Sequence, residues 1–313
     1  MIRNKKGVLL TNIGSPKEPT PQEVRRYLKK FLSDKRVVEI PRLIWWPILY
    51  GLILPFRSNS SAKLYQKIWT EQGSPLLHFS ECIAKSLQTQ LNIPVELGMH
   101  YGEPSIPSAL EKLRAQDIEE ITILPLYPQY SATTTATTFD QVAATLKKWR
   151  NIPAISMVRD YYKNSDYITA LCQSIQQHSF KHLLFSFHGI PQRCVDKGDP
   201  YQDQCKATVE LITQQLNLPA NKWSLSFQSR LGRAKWLTPY TEEVLKDLPQ
   251  RGITDIHVIC PGFAVDCLET LEEIAIRGKE IFLNAGGESF QYISALNDSG
   301  KQLEIFKKII LVE

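Results

Sequence analysis

A histidine stands at the end of a short apolar run, where a strand would turn into a loop. The apolar residues 183–187 lead directly into His-Gly-Ile-Pro at 188–191. This order is typical of a buried strand that carries an imidazole to its carboxyl end. Ligands of open α/β sheets bind at that edge, and imidazole moves protons well near neutral pH. His188 is therefore predicted to lie where chemistry is usually done, with Gly189 allowing close backbone approach and Pro191 fixing the turn. The alternative is a hydrogen-bonded core histidine, which is the more common case for an isolated histidine.

A second candidate group is a row of carboxylates. Asp266, Glu269 and Glu273 follow the sequence Cys-Pro-Gly-Phe at 260–263, with spacings of three and four residues. On a helix beginning near Val265 all three would share one face, where their charges repel unless a cation lies among them. The alternative is an acidic helix start, with Asp266 as N-cap and Glu269 in a capping box. Spacing alone leaves both open, and the preceding turn favours a site because it places Glu269 at a strand end, like His188.

Strand-like runs alternate with helix-length periodic segments along the chain, and these elements must position the two groups. The predicted strands are 8–13, 95–99, 121–124, 155–158, 183–187, 223–227 and 256–260. The predicted helices include 21–32, 105–114, 139–149, 166–177, 200–216 and 268–282. Such alternation predicts parallel α/β sheets that are covered by helices on both faces.

The two halves of the chain resemble each other weakly. The sequence LLTNIGSP at 9–16 aligns with LFSFHGIP at 184–191, and residues 123–127 loosely match 258–263. We therefore expect two similar lobes that face each other across a cleft, with the boundary at about 150–165. A cleft between lobes is a usual place for a ligand.

The composition limits the function classes. The chain has 313 residues, of which 43% are hydrophobic and 22% charged, with a formal net charge of +5. It has no Lys/Arg tract dense enough to indicate nucleic-acid binding. Its six cysteines form no Cys-x-x-Cys pair, which favours free thiols in a reducing cytosol. The N-terminus has no apolar signal-peptide core.

The most apolar stretch, 43–56, contains two adjacent tryptophans and two prolines and is flanked by Arg42 and Arg57. It is shorter than the roughly 20 residues that cross a bilayer. A buried helical segment is one interpretation. The flanking charges and the tryptophans favour the other, an exposed apolar lip that touches a membrane or an apolar ligand.

Two motifs carry a family resemblance over nearly the whole chain. His188-Gly-x-Pro with Lys-Gly-Asp-Pro-Tyr at 197–201 resembles the ferrochelatase signature, and CPGFAVDCLETLEE at 260–273 is similar to the family's other signature. The resemblance implies two Rossmann-like, chelatase-type lobes, each a parallel sheet flanked by helices, with a cleft between them. It places the first lobe at 1–155 with the lip at about 40–60, the second at 156–299, and a last helix, 300–313, packed back on the first lobe.

The same resemblance implies insertion of Fe²⁺ into protoporphyrin IX, the last step of haem biosynthesis. His188 would accept protons, and Glu269 would pair with it as proton or metal shuttle. Asp266 and Glu273 would join these two along the metal path, although Arg277 stands where the family often continues the acidic row. The porphyrin pocket would contain Ile13, Arg57, Tyr65, Ser74, Tyr101, Tyr130 and Trp236. His100 stands where many relatives have Arg.

The resemblance also bears on cofactors and location. Some family members carry a [2Fe-2S] cluster on cysteines beyond the core, and no cysteine follows Cys267 here, so we expect no cofactor beyond the substrate iron. The expected partners are porphyrin and iron, with peripheral membrane contact and no nucleic acid. The expected location is the cytoplasm, including the inner face of the cell membrane.

Three other functions compete with this prediction. One is another tetrapyrrole chelatase, acting on coproporphyrin or sirohydrochlorin or inserting cobalt. A second is a non-catalytic haem-binding protein, which would need no acidic helix facing His188. A nucleotide-dependent enzyme ranks last, because no glycine-rich phosphate motif follows a strand.

Overall fold

The computed structural model describes residues 5–232 and 234–312. The chain divides into two compact units. The first contains residues 5–126, 132–159 and 306–312, and the second contains 127–131 and 160–305. Each unit is built on its own sheet.

The sheet of the first unit has four parallel strands in the order β2-β1-β3-β4. They are β1 (Lys6–Asn12), β2 (Val95–Met99), β3 (Glu120–Pro125) and β4 (Ala154–Met157). The last six of the seven β1 residues are all buried, as expected of a strand with helices on both faces. One face packs against Leu110 and Leu113 of a helix and against Trp149.

The sheet of the second unit repeats this arrangement, with four parallel strands in the order β6-β5-β7-β8. They are β5 (His182–His188), β6 (Trp223–Gln228), β7 (Asp255–Ile259) and β8 (Ser289–Ile293). A core cluster containing Leu184, Val258 and Phe282 lies on this sheet. Two similar parallel α/β units confirm the predicted fold class. The cleft between them stays a prediction.

Helices fill most of the remaining chain. In order they are α1 (Pro21–Leu32), α2 (Arg42–Ile48), α3 (Leu54–Ile68), α4 (Pro75–Leu91), α5 (Ile106–Arg114), α6 (Thr135–Leu146), α7 (Ser165–Gln176), α8 (Gln192–Asp196), α9 (Tyr201–Gln215), α10 (Thr241–Gln250), α11 (Leu268–Thr270), α12 (Lys279–Asn284) and α13 (Gly300–Val312). A π-helical segment, Leu49–Ile53, joins α2 to α3, and a second, Leu271–Gly278, joins α11 to α12.

Local sequence sets several of the helix starts. The Thr20 side chain accepts the Glu23 N–H at the start of α1, and Asn164 accepts two N–H groups at the start of α7. Side chains of this type satisfy donors that the first helical turn leaves free. These caps fix where the two helices begin.

The helix that carries the acidic row differs from the prediction. It begins at Leu268 rather than near Val265, and its N-cap is Cys267, not Asp266, in a capping box with Thr270. It then continues as the second π-helical segment instead of one α-helix through 282. In a π-helix the backbone bonds run from i to i+5, so the single α-helical face assumed for the carboxylates does not form.

The apolar segment 43–56 exposes one side and buries the other, where Leu49 and Leu54 are 0% and 1% exposed. Its exposed side is what the lip interpretation predicts. Leu43 and Phe56 are 89% and 74% exposed, and Ile44, Trp46 and Leu52 are at least half exposed. Trp45 instead points inward and donates its indole N–H to the Leu32 carbonyl at 2.7 Å. We call the surface formed by Leu43, Ile44, Trp46, Leu52 and Phe56 the apolar lip. None of the helices in the described residues is long and apolar enough to span a bilayer.

Candidate active site

His188 is the last residue of β5 and is half-buried at the carboxyl edge of the second sheet. Its Nδ1 lies 2.6 Å from the carbonyl oxygen of Gly189. A carbonyl can only accept, so this contact requires that Nδ1 carries the proton. The neutral imidazole then has its lone pair on Nε2, the nitrogen that is able to take up a proton from a substrate.

The residue after His188 has to be a glycine. A Cβ atom at Gly189 would lie 2.8 Å from the Gln228 carbonyl oxygen and 3.4 Å from Cε3 of Trp236. The Trp236 ring therefore lies against the turn that follows His188, held by a hydrogen bond from its indole N–H to the Leu231 carbonyl at 2.9 Å. The indole presents a flat apolar surface to the turn at Gly189.

Asp266 is buried, and its carboxylate is occupied by protein donors. Thr270 Oγ1 and the Tyr292 hydroxyl donate to Oδ1 at 2.9 Å and 2.6 Å, and Asn297 Nδ2 donates to Oδ2 at 2.8 Å. Burial and the nearby Asp266 charge raise the pKa of the Tyr292 hydroxyl, which keeps it a donor. In this arrangement Asp266 organises the loop before α11.

Glu273 is also held by protein groups. The backbone N–H and Oγ of Ser229 donate to its carboxylate at 2.8 Å and 2.5 Å. Arg277 lies 3.6 Å from Glu273 and 3.5 Å from Glu272, a carboxylate that is only 1% exposed. In a π-helix, residues four and five positions apart lie on the same side. The positive charge of Arg277 therefore compensates the negative charges of Glu272 and Glu273.

Glu269 is half-buried, and no positively charged side chain pairs with it in the described residues. Its backbone carbonyl accepts a hydrogen bond from Gln228 Nε2 at 2.7 Å. Within the described chain no three His, Cys, Asp or Glu side chains are arranged to hold a metal ion. His188, Asp266, Glu269 and Glu273 therefore lie in one unit without forming a closed metal cage.

Five of the seven predicted porphyrin residues belong to the first unit. Arg57 on α3 is half-buried, its pKa is lowered by burial, and its guanidinium makes no ion pair within the described residues. Tyr65 on α3 and Ser74, the N-cap of α4, are buried. A desolvated guanidinium without a partner suits a carboxylate ligand.

Tyr101 and Ile13 lie beside each other at the carboxyl edge of the first sheet, where the Tyr101 N–H donates to the Ile13 carbonyl at 3.0 Å. The Tyr101 hydroxyl donates to Asp34 at 2.7 Å. His100 is buried against Thr138 Oγ1 at 2.7 Å, and burial lowers its pKa to about 3, so it is neutral. Tyr130 belongs to the second unit, where its N–H donates to Gln204 at 2.7 Å.

Solved structures with the same fold are tetrapyrrole-related proteins by name. The chain is similar to SirB from Bacillus subtilis with Fe³⁺, with a TM-score of 0.59 over 98% of this chain and 94% of that one, at 12% identity. It is also similar to CbiX, a terminal enzyme of sirohaem biosynthesis, with a TM-score of 0.51 and 11% identity over 98% of both chains. At these identities the likeness establishes the fold alone.

Sequence comparison decides the family. The ferrochelatase family model matches residues 5–313. Curated ferrochelatases of Pectobacterium atrosepticum and Yersinia pestis are 51% and 50% identical to the chain, over 99% of each protein. The chain belongs to the ferrochelatase family. As a ferrochelatase it is an enzyme, a metal chelatase of the lyase class, and the resemblance on which the sequence prediction rested is confirmed.

For two residues of this ferrochelatase, Gln228 and Arg42, no role could be assigned from the sequence. Gln228 joins the His188 turn to the helix of Glu269, a role that depends on contacts between three strands. Both terminal guanidinium nitrogens of Arg42 are buried with no hydrogen-bond partner in the described residues. The flanking position of Arg42 beside the apolar stretch was visible in the sequence, but its burial was not.

Proposed function

We propose that this ferrochelatase inserts Fe²⁺ into protoporphyrin IX, the last step of haem biosynthesis, with His188 as proton acceptor and Glu269 as proton or metal shuttle. The observation that carries the proposal is the Nδ1 contact of His188 with the Gly189 carbonyl at 2.6 Å. It leaves Nε2 as the basic nitrogen. A lone pair on this nitrogen is what a general base needs to accept a proton from the substrate.

The reaction releases two protons, one from each pyrrole N–H, as the iron bonds to the four nitrogens. A flat porphyrin resists this exchange, because its N–H protons lie in the ring plane and shield the nitrogen lone pairs. Apolar walls that bend the ring would tilt a pyrrole nitrogen toward the base, using binding energy from the rest of the macrocycle. We assign that wall to Trp236 and the apolar lip, and the first proton to Nε2 of His188.

The porphyrin pocket is proposed from the family resemblance. Arg57 would hold a propionate, with Tyr65 and Ser74 beside it. Ile13, Tyr101, Tyr130 and Trp236 would contact the ring. The unpaired, half-buried guanidinium of Arg57 supports the first of these roles, since a carboxylate would supply its missing partner.

The metal path is proposed to run along His188, Glu269, Asp266 and Glu273. Carboxylate ligands are harder than thiolates and release ferrous iron more readily. Because Asp266 and Glu273 already accept protein hydrogen bonds, iron would have to displace these partners to bind there. The Glu269 carboxylate has a hydrogen bond with the Cys267 thiol, and a thiol is a weaker donor than a hydroxyl or an amide. Glu269 is therefore the first of these carboxylates that arriving iron would use.

Three further proposals concern the surroundings of the reaction. The protein carries no [2Fe-2S] cluster, which iron and acid-labile sulfide analysis of the pure protein tests. It acts in the cytoplasm and touches the inner face of the cell membrane through the apolar lip, supported by the exposure of Leu43 and Phe56. Sedimentation with liposomes tests the contact, and Leu43→Ser with Phe56→Ser should abolish it. The domain limits near 155 and 299 and the packing of the last helix remain proposals.

The decisive assay follows porphyrin absorbance when protein, protoporphyrin IX and Fe²⁺ are mixed without oxygen. His188→Ala should lower kcat by about 10²–10⁴ while circular dichroism stays unchanged. His182→Asn, a buried histidine of the same strand bonded to Ser224, is the matched control and should turn over normally. Normal turnover by His188→Ala would refute the base assignment. A one-equivalent spectral shift without turnover would favour a haem-binding protein, and competition with coproporphyrin and Co²⁺ defines the preferred substrates.

A further inference from the structure

Gln228 lies at the carboxyl edge of the second sheet, where it forms hydrogen bonds with several neighbouring elements. It is the last residue of β6, pairs in register with His188 of β5, and is only 3% exposed. Its backbone carbonyl accepts the Gly189 N–H at 2.8 Å. The backbone of Gln228 therefore fixes the turn on which the His188 imidazole depends.

The side-chain amide of Gln228 has one chemically consistent orientation. Its Oε1 accepts from Ser186 Oγ at 2.7 Å and from the Cys260 thiol at 3.6 Å, while Nε2 donates to the Glu269 carbonyl at 2.7 Å. The reversed amide would place its oxygen against the Glu269 carbonyl, where neither atom can donate. The amide thus links β5, the end of β7 and the first turn of the helix that carries Glu269.

The next residue extends this attachment by one turn. Ser229 holds the Glu273 carboxylate through its N–H and Oγ. Its backbone has a φ of +68°, a left-handed conformation that costs energy in a residue with a Cβ. The chain accepts that conformation at the point where it contacts the π-helical segment.

We infer that Gln228 is a positioning residue for proton transfer, because it holds the backbone of Glu269 at a fixed place relative to His188. The inference rests on the proposed roles of those two residues. Both project from segments that Gln228 bonds directly, one through its carbonyl and the other through its amide. A misplacement of about 1 Å can slow catalysis by about 10²-fold, so loss of the amide should lower kcat rather than substrate affinity.

The test is Gln228→Met, which keeps the length of the side chain and removes the amide. We expect kcat to fall about 10- to 100-fold with the KM for protoporphyrin IX within about twofold of wild type. Ser226→Ala is the matched control. Ser226 is a fully buried residue two positions earlier on β6, bonded to Phe185 and Thr241 and not to Glu269. It should keep wild-type kcat.

A double-mutant cycle separates positioning from general damage. If Gln228 acts through Glu269, then Gln228→Met should cause little further loss in the Glu269→Gln background. An equal loss in both backgrounds, or a wild-type kcat in Gln228→Met, would overturn the inference. If the Met variant does not fold, Gln228→Asn gives the same test, because the shorter amide cannot reach the Glu269 carbonyl. A wild-type kcat in Glu269→Gln alone would instead refute the proposed function of Glu269.

Discussion

The two sheets are built alike but end in different chemistry. In each sheet the first strand of the unit lies second in the order, between an edge strand and the third strand. The aligned segments 9–16 and 184–191 occupy these equivalent places, in β1 and β5. The residue aligned with His188 is Ile13, an apolar residue whose carbonyl accepts the Tyr101 N–H at 3.0 Å. At the end of β5 stands His188, half-exposed with a free basic nitrogen.

The turn after each of these strands obeys the same steric rule. A Cβ at Gly14 would lie 2.7 Å from the Tyr101 carbonyl, and one at Gly189 would lie 2.8 Å from the Gln228 carbonyl. In both units the obstacle is the chain leaving the edge strand, β2 or β6. The scaffold, and not the reaction, therefore requires glycine at these two positions.

The edge strands also connect in the same way to the helix that follows the third strand. His100, just after β2, bonds Thr138 in the first turn of α6. Gln228, at the end of β6, bonds Glu269 in the first turn of α11. In the first unit the hydrogen bond reaches a threonine hydroxyl, whereas in the second unit it reaches the backbone carbonyl of a glutamate. The two units therefore share one frame, and both proposed catalytic residues, His188 and Glu269, belong to the second unit.

The largest effect is expected when the equivalent helices α11 and α6 are each changed in the first turn. Glu269→Gln removes a titratable group and should lower kcat by about 10²-fold or more, within the range of general acid–base catalysis. Thr138→Val removes a buried hydroxyl from the equivalent helix and should cost about 1–3 kcal/mol of stability with a smaller change in kcat. Steady-state kinetics and urea unfolding of both variants provide the check. Equal kcat losses would contradict the division of roles.

The two glycines provide the next test. Gly14→Ala adds a Cβ at a φ of +97° as well as a clash, and should lower the free energy of unfolding by about 3 kcal/mol. Gly189→Ala adds the clash alone, about 2 kcal/mol, but it moves the His188 turn. We therefore expect the larger loss of stability at Gly14 and the larger loss of kcat at Gly189. The reverse order in urea unfolding would show that the turns are not equivalent.

The pH dependence of stability sharpens the comparison in the first unit. Burial lowers the pKa of His100 to about 3, against about 6.5 in an unfolded chain. The unfolded chain therefore binds the proton first. The contribution of neutral His100 to the free energy of unfolding is fully present above pH 6.5. It decreases as the pH drops toward 3, by about 2 kcal/mol at pH 5. His100→Gln should make the stability measured by urea unfolding less dependent on pH between pH 7 and 5. An unchanged slope would contradict the assignment.

The smallest effect is expected at a cysteine. Cys194 lies on α8 of the second unit and is buried, and its backbone N–H donates to the Pro191 carbonyl at 2.9 Å. Cys194→Ser should leave kcat within about twofold of wild type, since hydroxyl and thiol are similar in size and acid–base work lies elsewhere. A severe loss would mean that the chemistry extends beyond the edge of the sheet.

Much of the fold could be predicted because the inner strands are buried on both faces and read as continuous apolar runs. β8 was missed because it is an edge strand with alternating burial. The π-helical geometry could not be predicted, since eight residues do not distinguish an i+4 from an i+5 pattern. The bonds that occupy Asp266 come partly from Tyr292 and Asn297, which are distant in sequence. His188 was visible because it ends an apolar strand-like run, and Glu269 because it belongs to a row of carboxylates after the turn at 260–263.

The burial of two thiols beside the acidic helix has a consequence for iron. Burial raises the pKa values of Cys260 and Cys267, and nearby carboxylates, including Glu269 beside Cys267, raise them further. Both thiols therefore stay protonated at neutral pH. Only a thiolate binds iron strongly or reacts readily with oxidants. An enzyme that must hand over every ferrous ion it receives thus keeps its nearest sulfur atoms in a form that does not sequester the metal.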